Sequence, residues 1–155
     1  MSTTQLVATA QPTHLATARG LLFDTQGRWL LVRSKGAQFW HLPGGTVDLG
    51  ESPAAACRRT FREEIGIDIA PGALHLVGWN PPRQPSHRSR LTFVFRMGIL
   101  DPAIASAKIR VPTGELDSWQ FVIPVTALSL LHPDAAHRLR VVWGAARGVY
   151  TEIGA

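Results

Sequence analysis

The segment from Ser52 to Gly66 constrains this chain more than any other. Ser52-Pro53 is a helix-start pair: a hydroxyl that caps free backbone N–H groups, then a proline whose missing N–H costs nothing in the first turn. Gly66 is a stop, because glycine readily takes the left-handed conformation that closes a helix. Between them Ala54, Cys57, Phe61 and Ile65 recur at three- and four-residue steps. That period makes one apolar stripe for a core and predicts a helix over roughly 53–64. Thr60, Glu63 and Glu64 fall off the stripe, and Glu51 lies just ahead of the first turn. The three glutamates can converge near the start and exposed flank of this helix. Such oxygen ligands suit a hard cation, Mg²⁺ or Mn²⁺, which commonly bridges to substrate phosphates. A solvated helix with ordinary surface acids is the plain alternative.

The rest of the chain alternates strands with turns. His14 to Phe23 is apolar and reads as a strand, Asp24-Thr25-Gln26-Gly27 as a turn, and Trp29 to Val32 as the returning strand of a hairpin. Trp40 to Leu42 is a short extended piece leading into Gly44-Gly45. Leu74 to Trp79, Leu91 to Met97 and Trp119 to Ile123 read as further strands, and Tyr150 to Ile153 as a short edge strand. A second helix fits Pro133 to Ala146, with Leu139, Val142, Trp143 and Ala146 on one face. Residues 1–12 read as a flexible tail and 13–155 as a single domain, since no repeat or linker divides them. Strands flanked by two helices predict an α/β fold, a mixed sheet with helices on opposite faces.

Composition narrows the function classes. The 45% hydrophobic content is spread along the chain, which argues against disorder. No apolar run approaches the ~18 residues of a membrane span, and the first residues lack the pattern of a secretion signal. The lone Cys57 excludes an internal disulfide and suits a reducing cytoplasm, and its place on the stripe makes it a core residue. Sixteen Lys plus Arg against eleven Asp plus Glu give a net charge of +5, a balance that favours anionic ligands. No nucleic-acid motif and no strongly basic helix accompanies it, so nucleic acid is not the expected partner. Arg83, Arg88 and Arg90, with His87, crowd the proline-rich loop NPPRQPSHRSR. They read equally as a solvated loop or as donors that grip phosphates beside a metal site. Trp79, Phe93, Phe95 and Trp119 have the chemistry to stack on a base, yet strand aromatics more often pack in a core, and Trp40 reads as a packing residue.

Gly45 to Ile67 reads GTVDLGESPAAACRRTFREEIGI. This resembles the signature of the Nudix hydrolases, G-x5-E-x7-R-E-U-x-E-E-x-G-U with U apolar. One position departs: Thr60 stands where the signature has Glu. The resemblance implies the Nudix α/β/α sandwich across about residues 14–150. It also implies divalent-metal-dependent hydrolysis of a nucleoside diphosphate linked to another moiety. Position by position, Glu63 and Glu64 match the paired metal-binding, catalytic carboxylates, and Glu51 matches the upstream Glu of the same metal site. Gly44 and Gly45 match glycines that let the backbone turn beside the substrate, and Arg59 an arginine that orients the carboxylates. Thr60 is a poor base near neutral pH, and general-base help is worth ~10²–10⁴-fold in rate. Some family members take the base from a later loop, for which Glu115 is the first candidate here, Asp117 the second and His87 a weaker third. A nucleotide-binding module impaired in catalysis is the second reading, and a basic interaction protein the third. A homodimer stays open.

Overall fold

A computed structural model describes residues 12–85, 87–111, 114–142 and 148–153 of the chain. Seven strands form one mixed sheet: β1 (Leu15–Asp24), β2 (Trp29–Ser34), β3 (Gly44–Thr46), β4 (Leu74–Asn80), β5 (Arg90–Leu100), β6 (Leu116–Val122) and β7 (Val149–Glu152). The order is β6-β2-β1-β5-β4-β7, with β3 paired to β1 beside this path. The β1–β5 and β4–β7 pairs are parallel and the others antiparallel. Four helices complete the described fold: α1 (Pro53–Ile65), α2 (Pro102–Lys108), α3 (Pro124–Leu130) and α4 (Pro133–Val141).

The sheet is covered on both faces, and its central strands show why. In β2 the run Trp29-Leu30-Leu31-Val32 is buried throughout. Leu30 and Val32 join Ala56, Cys57, Phe61 and Ile65 of α1 and Ala105 of α2 in one core. Trp29 and Leu31 join Ala127 of α3 and Ala136 and Leu139 of α4 in the other. Alternate side chains of a strand point to opposite faces, so a continuous apolar run requires cover on both. The result is the α/β/α sandwich that the sequence implied.

α1 forms as its sequence dictates. The Ser52 hydroxyl accepts from the Ala55 N–H at 3.1 Å, and Gly66 closes the helix at φ 73°. Gly20 of β1 lies under this helix, where a Cβ would fall 2.3 Å from the Phe61 ring, so only glycine admits that packing.

Three expectations change. α2 and α3 lie in segments where the sequence reading placed no helix. Each buries only one residue, Ala105 or Ala127, so neither shows a stripe. The missed signal was proline: all four described helices begin on one. β5 also runs to Leu100, beyond Met97. Finally, α4 ends at Val141, while Trp143 and Ala146 lie outside the described residues, as do residues 1–11 of the tail expected over 1–12.

Candidate functional site

Two separate cavities are lined by residues at and just before β3. The smaller, about 210 Å³, is an acid pocket lined by Gly44, Gly45, Asp48, Arg59, Thr60, Glu63, Glu64 and Glu115, among others. Gly44 makes its floor possible. It sits at φ 143°, and a Cβ there would fall 2.1 Å from the Ala18 carbonyl oxygen. The backbone thus presses against β1 and turns its N–H to the Glu64 Oε2, which accepts at 3.1 Å. Burial pushes the Glu64 carboxyl up to about 7; Gly44 and Arg19 draw it down, while Glu115 and Glu63 add to the rise. Like charges in a half-buried pocket disfavour another anion, and a cation there would relieve both effects.

Arg59 organises the neighbouring acids. Its Nε and Nη2 each donate to Glu51 at 2.8 Å, Nη1 donates to Glu63 at 3.0 Å, and Nη2 also reaches the Thr46 carbonyl at 3.0 Å. The bidentate contact with Arg59 holds the Glu51 carboxyl down to about 2. Glu51 is therefore drawn to Arg59, and the glutamates that share the pocket are Glu63, Glu64 and Glu115. Among the described residues no three His, Cys, Asp or Glu side chains form a ready-made metal cluster. The donors fit a hard divalent cation by chemistry, all oxygen and anionic, with Glu64 held in place by a backbone N–H.

Thr60 departs from expectation. It is buried, 5% exposed, although its position falls off the apolar stripe. Its hydroxyl donates back along the helix to the Ala56 carbonyl at 2.8 Å, and its methyl packs where a Gly45 Cβ would be only 3.0 Å away. A short side chain with its polar group satisfied locally can sit under the glycine strand, which a period count does not show. Ala56, not Ala54, completes the buried face of the helix.

The two late acids, expected together in a loop before a strand at Trp119, are divided because β6 already starts at Leu116 and takes in Asp117. A register shift between Arg33 and Ser34 in the β2–β6 pairing, with the Lys35 N–H donating to the Glu115 carbonyl at 2.9 Å, sets Glu115 at the pocket. Asp117 points elsewhere: it accepts from Ser118 Oγ at 2.7 Å and from Arg33 Nε at 3.1 Å. His87 lines the other cavity. Cys57 is a core residue, its thiol pushed up to about 12 by burial and 3.7 Å from the Met97 sulfur.

The larger cavity, about 760 Å³, opens on the α4 side of the sheet. Arg83, Arg88 and Arg90 line it and do not line the acid pocket. Trp40 lines it as well and packs against the core beneath, as expected of a packing residue, with its ring 5.1 Å from the Arg33 guanidinium. The sequence reading missed the rest of this wall: Arg19, His41, Asn80, Asp134 and Arg138. Arg19 lines the larger cavity and bonds to Gly44, which lines the smaller. Its Nη1 donates to the Gly44 carbonyl at 2.9 Å and lies 3.1 Å from His41 Nδ1. Burial first, and then the Arg19 charge, push His41 down to about 4, so its ring is neutral near pH 7, with Nδ1 2.9 Å from the Leu42 carbonyl and Nε2 3.1 Å from Ser34 Oγ. Alternation in β1 was the available signal, since Thr17 and Arg19 interrupt an apolar strand on one face.

Comparison with known proteins places this geometry. The NUDIX domain model matches residues 13–142. YjhB of Bacillus subtilis (strain 168), whose name assigns it provisionally to ADP-ribose pyrophosphatases, is 39% identical over 80 residues, 49% of this chain and 38% of that protein. An RNA pyrophosphohydrolase of Marinomonas sp. (strain MWYL1) is 27% identical over 116 residues, 66% of this chain and 71% of that one. The chain thus spans under half the length of the first of these relatives. Among solved structures, a MutT protein from Methanosarcina mazei Go1 superposes with TM-score 0.69 at 20% identity, covering 85% of this chain and 94% of that chain. The spacing of Gly45, Glu51, Arg59, Glu63 and Glu64, the sandwich and the match over 13–142 agree: the chain belongs to the NUDIX family.

Proposed function

We propose that this protein is a divalent-metal-dependent pyrophosphohydrolase, cleaving a nucleoside diphosphate linked to another moiety with water. The observation that carries the reading is the Glu64 carboxylate, half-buried, hydrogen-bonded by Gly44 and crowded by Glu63 and Glu115. A protein that only bound nucleotides would have little use for so costly a group. Glu63 and Glu64 would hold Mg²⁺ or Mn²⁺, with Glu51 near at hand on Arg59. The cation, when bound, supplies charge neutralisation at the phosphoryl oxygens and lowers the pKa of a coordinated water. Arg59 orients Glu51 and Glu63 through its hydrogen bonds to both. Glu115 takes the proton of the attacking water, a role Thr60 cannot fill because a neutral hydroxyl is too weak a base. Arg83, Arg88 and Arg90 bind the anionic substrate from the larger cleft, and Gly44 and Gly45 leave the diphosphate room to lie against backbone.

The test is a panel of ADP-ribose, nucleoside triphosphates and diphosphate-linked nucleotides, assayed with Mg²⁺ or Mn²⁺ for release of nucleoside monophosphate or phosphate. Hydrolysis that needs the cation and disappears in Glu64→Gln is the expected result. Equal Mn²⁺ affinity of wild type and Glu64→Gln by calorimetry would overturn the ligand assignment.

A further inference from the structure

The larger cleft carries more positive charge than a scissile diphosphate beside the acid pocket accounts for. Its walls hold Arg19, Arg83, Arg88, Arg90 and Arg138 against a single carboxylate, Asp134. Among the described residues, the arginines paired to carboxylates are Arg28, Arg33, Arg58, Arg59 and Arg62, all outside the cleft. None of the five cleft arginines has such a partner. Asp134 accepts from Asn80 Nδ2 at 3.3 Å, and Asn80 in turn accepts from Arg138 Nη1. Arg138 is 8% exposed, a buried cation that hydrogen-bonds a neutral amide, Asn80, while the Asp134 carboxylate acts on it only beyond ion-pair distance. A guanidinium does not deprotonate on burial, and the Asp134 carboxylate offsets its desolvation only in part, so an arriving anion would be favoured.

We propose that this cleft binds a phosphate monoester carried by the substrate beyond its scissile diphosphate. The substrate class is then a diphosphate-linked nucleotide bearing a further phosphate. This rests on the hydrolase reading, in which the diphosphate itself lies at Glu63 and Glu64. Arg19 sets the geometry, since it lines the cleft while bonding the Gly44 carbonyl, one residue's backbone away from the Glu64 contact. Guanidinium forks match the oxygens of a dianionic phosphate bidentately. A cavity of about 760 Å³ is the size of a small-ligand site, whereas a polynucleotide needs a longer track of charge.

Binding decides the matter without turnover. Trp40 lines the cleft, so tryptophan fluorescence reports occupancy. With EDTA present, NADP is compared with NAD, and coenzyme A with dephospho-coenzyme A; each pair differs by one phosphate monoester. The phosphate-bearing member of at least one pair is expected to bind about tenfold tighter or better. Arg90→Gln is expected to bring that ratio near one. Arg138→Gln should do the same, and Arg90→Gln alone carries the test if the buried substitution prevents folding. Equal affinities in both pairs, or a ratio untouched by Arg90→Gln, overturns the proposal. So does tighter binding of a short 5′-triphosphorylated RNA than of either phosphate-bearing probe. A preserved ratio with no hydrolysis of any probe in Mn²⁺ would instead refute the hydrolase reading and leave the cleft assignment standing.

Discussion

Glu64 makes the metal-free protein's stability depend on pH in a direction opposite to the usual carboxylate. Its carboxyl is pushed up to about 7 in the fold, mainly by burial, against an ordinary value of 4.5. Between those values the folded state holds a proton that the unfolded chain has released. Stability therefore falls as pH rises from about 4.5 to about 7, and is level above that range. At 1.36 kcal/mol per tenfold change in proton affinity, the full effect is about 3 kcal/mol, an upper value for a half-buried group. Glu64→Gln keeps an oxygen for the Gly44 N–H and removes the charge. In EDTA the variant should match wild type near pH 4 and exceed it by up to about 3 kcal/mol at pH 8.5. Urea unfolding followed by tryptophan fluorescence measures this, as a midpoint shift on the order of 1 M at the higher pH. The same difference at both pH values, or a wild type that is the more stable at pH 8.5, would refute the reasoning. The variant that gains stability is the one expected to lose hydrolysis, because the buried charge is kept for the cation.

Two further perturbations probe the same pocket. Thr60→Glu puts a carboxylate beside Glu64 and Glu115 and should tighten Mn²⁺ binding or raise hydrolysis, at a cost to the metal-free fold since Thr60 is buried; a folded variant whose Mn²⁺ titration overlays wild type counts against this. Glu115→Gln should lower kcat by about 10²–10⁴-fold with little change in KM, while Asp117→Asn, whose acid is bound to Ser118 and Arg33, stays silent. Unchanged turnover in Glu115→Gln would leave the loop a structural element.

Most of this architecture was legible in the chain. The stops and starts around α1, the alternation or solid apolarity of β1 and β2, and the spacing of Glu51, Arg59, Glu63 and Glu64 are local patterns. Local chemistry fixes them, because caps, periods and glycine conformations depend on neighbours within a turn or two. α2 and α3 escaped because each buries one residue, though Asp101-Pro102 repeats the start signal of α1. The division of labour among the polar groups was not legible. Whether Glu51 faces a cation or Arg59, whether Thr60 faces water or core, and which cavity receives Arg83, Arg88 and Arg90 depend on side chains meeting across the sheet. Arg19 and Arg138 look like ordinary surface arginines in one dimension. Only when β1, β4, β5 and α4 are brought together do they become an unpaired cluster in one cleft, because charge accumulates by proximity in space and sequence separation says nothing about that distance.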